Sequence, residues 1–184
     1  MWFFSSIAAA TTVCPSGCDR TSLYGALSAG AGQGTQTIEI LAPGTYNAAG
    51  MDALADDVTI VGRVEGVVLV NAWVETVGSA LTLQNVTVQG TNGTRFMDVF
   101  AGTTLTVLDS EIRTFSTPSV DSAFANLWGG HLVVRDSWVH DLTATDGALA
   151  QFGNGSMVVV ERSLICGNRA WANGGVLHRQ PTGG

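Results

Sequence analysis

Four segments of the chain share one alternating pattern of hydrophobic and polar positions. Each has an apolar–x–apolar step, a short polar turn and a second pair of apolar positions: SALTLQNVTV at 79–88, TTLTVLDSEI at 103–112, GHLVVRDSWV at 130–139 and SMVVVERSLI at 156–165. Alternation of this kind is typical of short β-strands with one buried face. In the first copy it predicts that the inward residues are Leu81, Leu83, Val86 and Val88.

The segments recur at a regular period. Their leading apolar residues are 24, 27 and 25 positions apart, namely Leu81, Leu105, Leu132 and Met157. The last copy has an extra valine in its run at 158–160, which we interpret as a β-bulge. Self-similarity at this period predicts a solenoid. A β-sandwich also has short strands but predicts no such repeat, and the LxxLxLxxN pattern of a leucine-rich repeat is missing.

Turn residues recur in step with the strands. A glycine precedes each segment, and an Asn or Asp follows the first apolar step at Asn85, Asp109 and Asp136. Glycine, Asn and Asp tolerate the left-handed conformation that tight turns require. Upstream, DSAFANLWGG at 121–130 matches DGALAQFGNG at 146–155. The sequence therefore predicts an all-β parallel β-helix with three short strands per coil.

The two ends of the chain differ from the repeat. Residues 11–35 are predicted to be an N-terminal cap with a short helix over 19–30, N-capped by Asp19 or Thr21. Coils are predicted over 36–184, with an open C-terminal end, and we expect them to continue beyond the chain. Residues 1–10 are interpreted as a truncated signal peptide, although they lack a basic region and also fit an apolar N-terminal strand or helical turn.

Composition narrows the class of protein. The net charge is −7, every basic residue is Arg, and charged residues make up 12% of the 184 residues. An acidic chain without a basic run is a poor candidate for binding nucleic acid. No stretch is long and apolar enough for a transmembrane segment. Cys14 and Cys18 flank a tight turn and can close a small disulfide, whereas Cys166 has no evident partner.

CPSGCDRTSLYGALSAG at 14–30, followed by TIEILAPGTYN at 37–47, resembles the opening of pectate-lyase-like proteins. This superfamily has a right-handed β-helix fold, so the resemblance implies right-handed coils and a secreted or outer-surface location. The segment SLICGNRAWANGGVLH at 163–178 is also similar to single repeats of chlamydial-type polymorphic outer membrane proteins. The fold hosts lyases, hydrolases and adhesins, so it does not by itself define a function.

Two outward surfaces are candidates for chemistry. Enzymes of this superfamily use acids on the first strand of each coil, where the repeat alignment groups one acid, Asp98, with Ala125, Ala150 and His178. On the third strand, the alignment brings together Glu111, Arg113, Trp138 and His140. An exposed Trp beside charged groups can stack on a sugar. Alternatively, the variable loops cover Trp138, and Glu111 with Arg113 is a surface ion pair of little energetic value.

We therefore expect an exported, non-catalytic β-helix module that has a structural, adhesive or glycan-binding role, with a polysaccharide or cell-surface glycan as its partner. The alternative is a fragment of a carbohydrate-active enzyme, either a polysaccharide lyase or a glycoside hydrolase. The sequence indicates no metal site and no cofactor, and calcium is expected only for a lyase. A triad built on His140 and Asp141 lacks a nucleophile that the sequence places beside them.

Overall fold

A computed structural model describes residues 10–180 except 50, 52, 53, 55, 77, 91, 92, 118, 120 and 154, so nearly all of the interpreted signal peptide lies outside the described residues. The chain folds as an all-β parallel solenoid of about six turns, as the repeat predicts. Every pairing between its strands is parallel. Within the described residues, no helix has the length and hydropathy needed to cross a membrane.

The strands of successive coils stack into three main sheets, here named by their order within a coil. Sheet 1 contains β6 (Val74–Thr76), β9 (Met97–Phe100), β13 (Ala125–Trp128), β17 (Ala150–Gly153) and β21 (Leu177–Arg179). Sheet 2 contains β1 (Thr11–Val13), β2 (Gln36–Ile40), β4 (Val58–Gly62), β7 (Leu81–Gln84), β10 (Thr104–Leu108), β14 (His131–Arg135) and β18 (Met157–Glu161). Sheet 3 contains β3 (Gly44–Asn47), β5 (Val67–Val70), β8 (Thr87–Gln89), β11 (Glu111–Arg113), β15 (Trp138–His140) and β19 (Leu164–Cys166).

The later coils also contain a short fourth sheet that the repeat did not predict. It consists of two-residue strands, β12 (Ser116–Thr117), β16 (Thr143–Ala144) and β20 (Arg169–Ala170). Two-residue strands carry too little alternation to be recognised in a sequence.

The core is a stack of inward side chains, one from each coil at each position. Leu81, Leu105 and Leu132 align in register and are fully buried, as the alternation predicts. Each of these leucines meets its equivalents on the coils above and below, so the hydrophobic burial that stabilises one coil depends on its neighbours.

The register of the last copy corrects the interpreted bulge. Leu132 pairs with Val158, and Met157 pairs with His131 on the outer side, where it is 48% exposed. The additional residue lies in the turn between Gly153 and Met157, so β18 pairs with β14 over its whole length. A turn accommodates an insertion without breaking ladder hydrogen bonds, whereas a bulge in β18 would disrupt its pairing with β14.

The predicted turn columns have the expected backbone conformation. Asn85, Asp109 and Asp136 have φ of 52°, 47° and 49°, and the glycine before each coil is also in the left-handed region. In the last coil, Arg162 occupies the same turn with φ 47° and pairs with Asp136, with a distance of 2.7 Å from its Nε to the Asp136 Oδ1.

The N-terminal cap contains the predicted helix, but it starts later than expected. Helix α1 spans Leu23–Gly30, and its N-cap is Ser22, whose Oγ accepts a hydrogen bond from the Gly25 N–H, rather than Asp19 or Thr21. Asp19 instead accepts hydrogen bonds from the backbone and hydroxyl of Thr12, which hold the loop closed by Cys14 and Cys18. The buried face of α1 consists of Leu23, Ala26 and Leu27.

At the other end, β18, β19, β20 and β21 each pair on one side within the described residues. Exposed apolar side chains are concentrated in this last coil and include Met157, Leu164 and Leu177.

Candidate functional site

The outer face of sheet 3 brings together the four residues that the sequence analysis grouped. Glu111 pairs in register with Trp138, and Arg113 pairs with His140, because β11 and β15 are adjacent strands. The middle residue of each strand, Ile112 in β11 and Val139 in β15, points inward and is fully buried. Because side chains alternate along a strand, the four flanking side chains point outward. We call this cluster the Trp138 patch.

Trp138 is an open aromatic surface that is fixed in place. Trp138 is 45% exposed, so the variable loops do not cover it. The His140 ring stacks on it with the centroids 3.9 Å apart and the planes 25° apart. The indole Nε1–H lies 3.3 Å from the Sγ of Cys166, on the next coil. Contacts at the ring face and at the indole nitrogen restrict its rotation.

Glu111 is the centre of a hydrogen-bond network. It accepts from the Thr87 hydroxyl at 2.9 Å and from the His140 Nε2 at 2.9 Å, and its carboxylate lies 3.2 Å from the Arg113 guanidinium. Partial burial disfavours the ionised carboxylate, but the hydrogen bonds from His140 and Thr87 and the charges of Arg113 and His140 outweigh it. The pKa of Glu111 therefore lies below its ordinary value.

His140 is held between two carboxylates. Its Nε2 lies 2.9 Å from Glu111 and its Nδ1 lies 2.8 Å from the Oδ2 of Asp141, while 13% of its side chain is exposed. Burial lowers the pKa of His140, but the hydrogen bonds and negative charges of Glu111 and Asp141 raise it by more, so the net shift is upward. Both ring nitrogens act as donors only in the imidazolium form, so this geometry favours a charged His140.

Gln89 is a member of the patch that the sequence analysis did not single out. Its Oε1 accepts a hydrogen bond from Arg113 at 3.2 Å. The signal for it was present, because Gln89 lies one period of 24 residues before Arg113 in the aligned repeat. The guanidinium of Arg113 thus joins two coils, with Glu111 on one side and Gln89 on the other.

The predicted outer column of sheet 1 was out of register by one residue. Asp98 and His178 align with Asn126 and Gln151, whereas Ala125 and Ala150 point inward and are fully buried. The loop before β13 is one residue longer than the alignment assumed, and loops vary in length more freely than strands do.

The corrected column extends to the preceding coil, where the backbone of Glu75 in β6 pairs in register with Asp98. The column is not open, because Asn126 and Gln151 are each 3% exposed. These two side chains are therefore not available to a polymer that lies along this face.

The other potentially reactive groups are the three cysteines and the side chains that could bind a metal ion. Cys14 and Cys18 form a disulfide, and Cys166 is a free, exposed thiol. In the described part of the chain, no three His, Cys, Asp or Glu side chains converge in a way that holds a metal ion.

Together, the fold and the patch define a parallel β-solenoid with a charged aromatic surface on one sheet. Searches of protein-family models, curated proteins and solved structures find no match for this chain.

Proposed function

We propose that this chain is an exported, non-catalytic β-helix module that binds a polysaccharide or cell-surface glycan through the Trp138 patch. The observation that carries the proposal is a half-exposed Trp whose ring is fixed by His140 and Cys166. A fixed aromatic surface binds a sugar ring with little loss of conformational entropy.

The polar groups around Trp138 supply the second part of a glycan site. Arg113 is held by Glu111 and Gln89 while 35% of its side chain remains exposed, so the patch that contains the indole also offers N–H donors. Sugar hydroxyls accept hydrogen bonds from such donors, and carboxylated sugars add an ionic contact. These groups come from adjacent coils, so a glycan chain lying across the strands contacts several of them at once.

The same hydrogen bonds argue against catalysis at this patch. A general base needs a free lone pair and a general acid needs a transferable proton within reach of substrate. His140 has a carboxylate on each ring nitrogen, and the Glu111 carboxylate already accepts from Thr87 and His140. Substrate would have to displace these partners before either group could transfer a proton.

Export is supported by the cap. A disulfide between Cys14 and Cys18 persists in oxidising compartments and is rare in the cytosol. Membership of the pectate-lyase-like superfamily, with right-handed coils, is part of the same proposal. It rests on the parallel solenoid and on the opening motif at 14–47.

Replacement of the exposed indole tests the proposal. Binding of Trp138→Ala to a panel of neutral and acidic polysaccharides is compared with that of Trp128→Ala. Trp128 is 49% exposed on sheet 1, away from the patch, and so controls for loss of an exposed indole. We expect Trp138→Ala to weaken binding about three- to tenfold, the value of one aromatic contact. Equal losses in both variants, or no binding by the unmodified chain, would overturn the proposal.

The second candidate function is a carbohydrate-active β-helix enzyme, which the alignment of Glu75 with Asp98 on sheet 1 favours. Incubation of the chain with polygalacturonate, with and without calcium, separates the two candidates. Measurable turnover that disappears in Asp98→Asn establishes the enzyme and rejects the non-catalytic module.

A further inference from the structure

The N-terminal end of the solenoid contains a cleft that is separate from the Trp138 patch. It has a volume of about 510 Å³ and lies between the cap and the first coil. Residues 43–47 form one side, and the other side includes Pro15, Ser22 and Tyr24. This volume is in the range of sites that bind small ligands or short peptide segments.

The cleft follows the free edge of a strand. Five consecutive residues, 43–47, line it, whereas the face of a strand presents only alternate residues. β3 is the terminal strand of sheet 3, and no residue of its neighbour β5 lines the cleft. Sheet 2 extends one strand further at this end, through β1. The cleft therefore occupies the place that one more strand of sheet 3 would take.

The backbone of β3 directs hydrogen-bonding groups into this space. The N–H groups of Gly44 and Ala48 donate to Gly66 and Val70, on the side of β5. Strand residues alternate the side to which they bond, so Thr45 and Asn47 direct their N–H and C=O groups to the opposite edge. Within the described residues, these groups have no backbone partner. The edge thus offers donors and acceptors at the spacing of a paired strand.

The walls are rigid and uncharged. The Cys14–Cys18 disulfide closes the loop that contains Pro15, and the Tyr46 hydroxyl donates to the Ala42 carbonyl at 2.8 Å. Tyr24, which is 58% exposed, supplies an aromatic surface. Among the residues that the structure describes, no Asp, Glu, Lys, Arg or His lines the cleft, so these walls offer no counter-charge to an ionic ligand.

We propose that this cleft binds an extended, uncharged peptide segment that adds as a strand to the free edge of β3. Backbone hydrogen bonds to Thr45 and Asn47 supply the affinity, and an apolar side chain of the peptide packs on Tyr24. Addition of a strand to an exposed sheet edge is a general mode of peptide recognition. This inference does not depend on glycan binding by the Trp138 patch.

Two variants at one position separate backbone pairing from side-chain binding. Thr45→Pro removes the N–H that faces the cleft and leaves pairing with β5 intact, since proline is tolerated at strand edges. Thr45→Val keeps the N–H and removes the hydroxyl. The probe is acetyl-Thr-Leu-Thr-Val-Thr-amide, titrated into the ¹⁵N-labelled full chain. The control ligand is the same peptide with every second backbone amide N-methylated, so that it cannot pair as a strand.

We expect the probe to bind and to slow amide exchange at Thr45 and Asn47. Thr45→Pro should weaken binding about tenfold, because the peptide loses the hydrogen bond from the Thr45 N–H and can no longer approach the strand closely. Thr45→Val keeps that N–H, so its affinity should stay within about twofold of the unmodified chain. The N-methylated analogue should not bind. The proposal is overturned if the analogue binds as well as the probe, if both variants lose affinity equally, or if the probe does not bind. Displacement of the probe by xylohexaose would identify the cleft as a sugar site and also overturn it. The comparison of the two peptides needs no variant, so it decides the matter even if Thr45→Pro does not fold.

Discussion

A ladder of serines joins the coils at the turn that leads into the Trp138 patch. Ser110, Ser137 and Ser163 stack there, one from each of three coils. Each Oγ donates to a carbonyl two residues earlier, at 2.6 to 2.8 Å, and accepts from a backbone N–H of the preceding coil, at 3.1 to 3.2 Å. The ladder therefore connects the coils by side-chain hydrogen bonds in addition to the strand pairing.

Ser137→Ala removes one step of this ladder. The Arg135 carbonyl keeps a partner, because it also accepts from the Asp109 N–H at 3.2 Å. The Ser110 N–H, in a residue that is 7% exposed, loses the Oγ to which it donates. An unsatisfied buried donor costs about 1 to 3 kcal/mol. We expect the free energy of unfolding to fall by this amount.

The assay combines urea unfolding with amide hydrogen exchange. Ser163→Ala deletes the next step of the ladder and leaves the Ser137 N–H, in a residue that is 6% exposed, without its acceptor, so it should have a similar cost. In Ser137→Ala, the Ser110 amide should exchange faster than in the unmodified chain. Unchanged exchange at Ser110, or a cost below about 0.5 kcal/mol in both variants, would show that the ladder does not stabilise the stack.

Three further predictions concern electrostatics, register and the cap. The raised pKa of His140 gives stability that is complete below pH 6.5 and lost as the pH rises through its folded value, and the lowered pKa of Glu111 gives stability that is lost on acidification below 4.5. The midpoint temperature of unfolding, measured against pH, should therefore show the largest stabilisation by Glu111 and His140 between pH 4.5 and 6.5. His140→Gln should remove the fall in this temperature that the unmodified chain shows at higher pH. Met157→Ser should change the free energy of unfolding by less than about 0.5 kcal/mol, whereas Leu132→Ala should cost about 2 to 5 kcal/mol; the reverse order in urea unfolding would reject the corrected register. Cys14→Ser should lower stability by about 2 kcal/mol, measured against the unmodified chain under oxidising and reducing conditions, and should have no effect once the disulfide is reduced.

The sequence predicted those parts of the fold that repeat at constant spacing. From the first apolar step to the third strand, the four aligned coils have the same number of residues, so the columns of Glu111 with Trp138 and of Arg113 with His140 came out in register. The left-handed turns at Asp109 and Asp136 followed from the chemistry of Asp itself. Local pattern and tertiary stacking agree in this stretch, which is why alignment of the chain with itself was sufficient.

The remaining features depend on loops whose lengths the repeat does not constrain. One additional residue before β13 shifted the sheet 1 column, and another before β18 imitated a bulge. The stacking of His140 on Trp138 was also beyond the pattern, because periodicity specifies which face a side chain occupies but not its rotamer. The choice of Ser22 over Asp19 as N-cap required knowing that Thr12 lies close enough to bind Asp19.

Repetition within the chain separates positions that serve the coil from positions free to serve a partner. Inward leucines, turn glycines and ladder serines recur because every coil has the same packing and hydrogen-bonding needs. The outward column of sheet 3 does not recur in this way, since it runs through Thr87, Glu111, Trp138 and Leu164. The solenoid does not require a tryptophan at such a position, and half of this one faces solvent. The departure from the repeat, more than any single contact, is why we place ligand recognition on sheet 3.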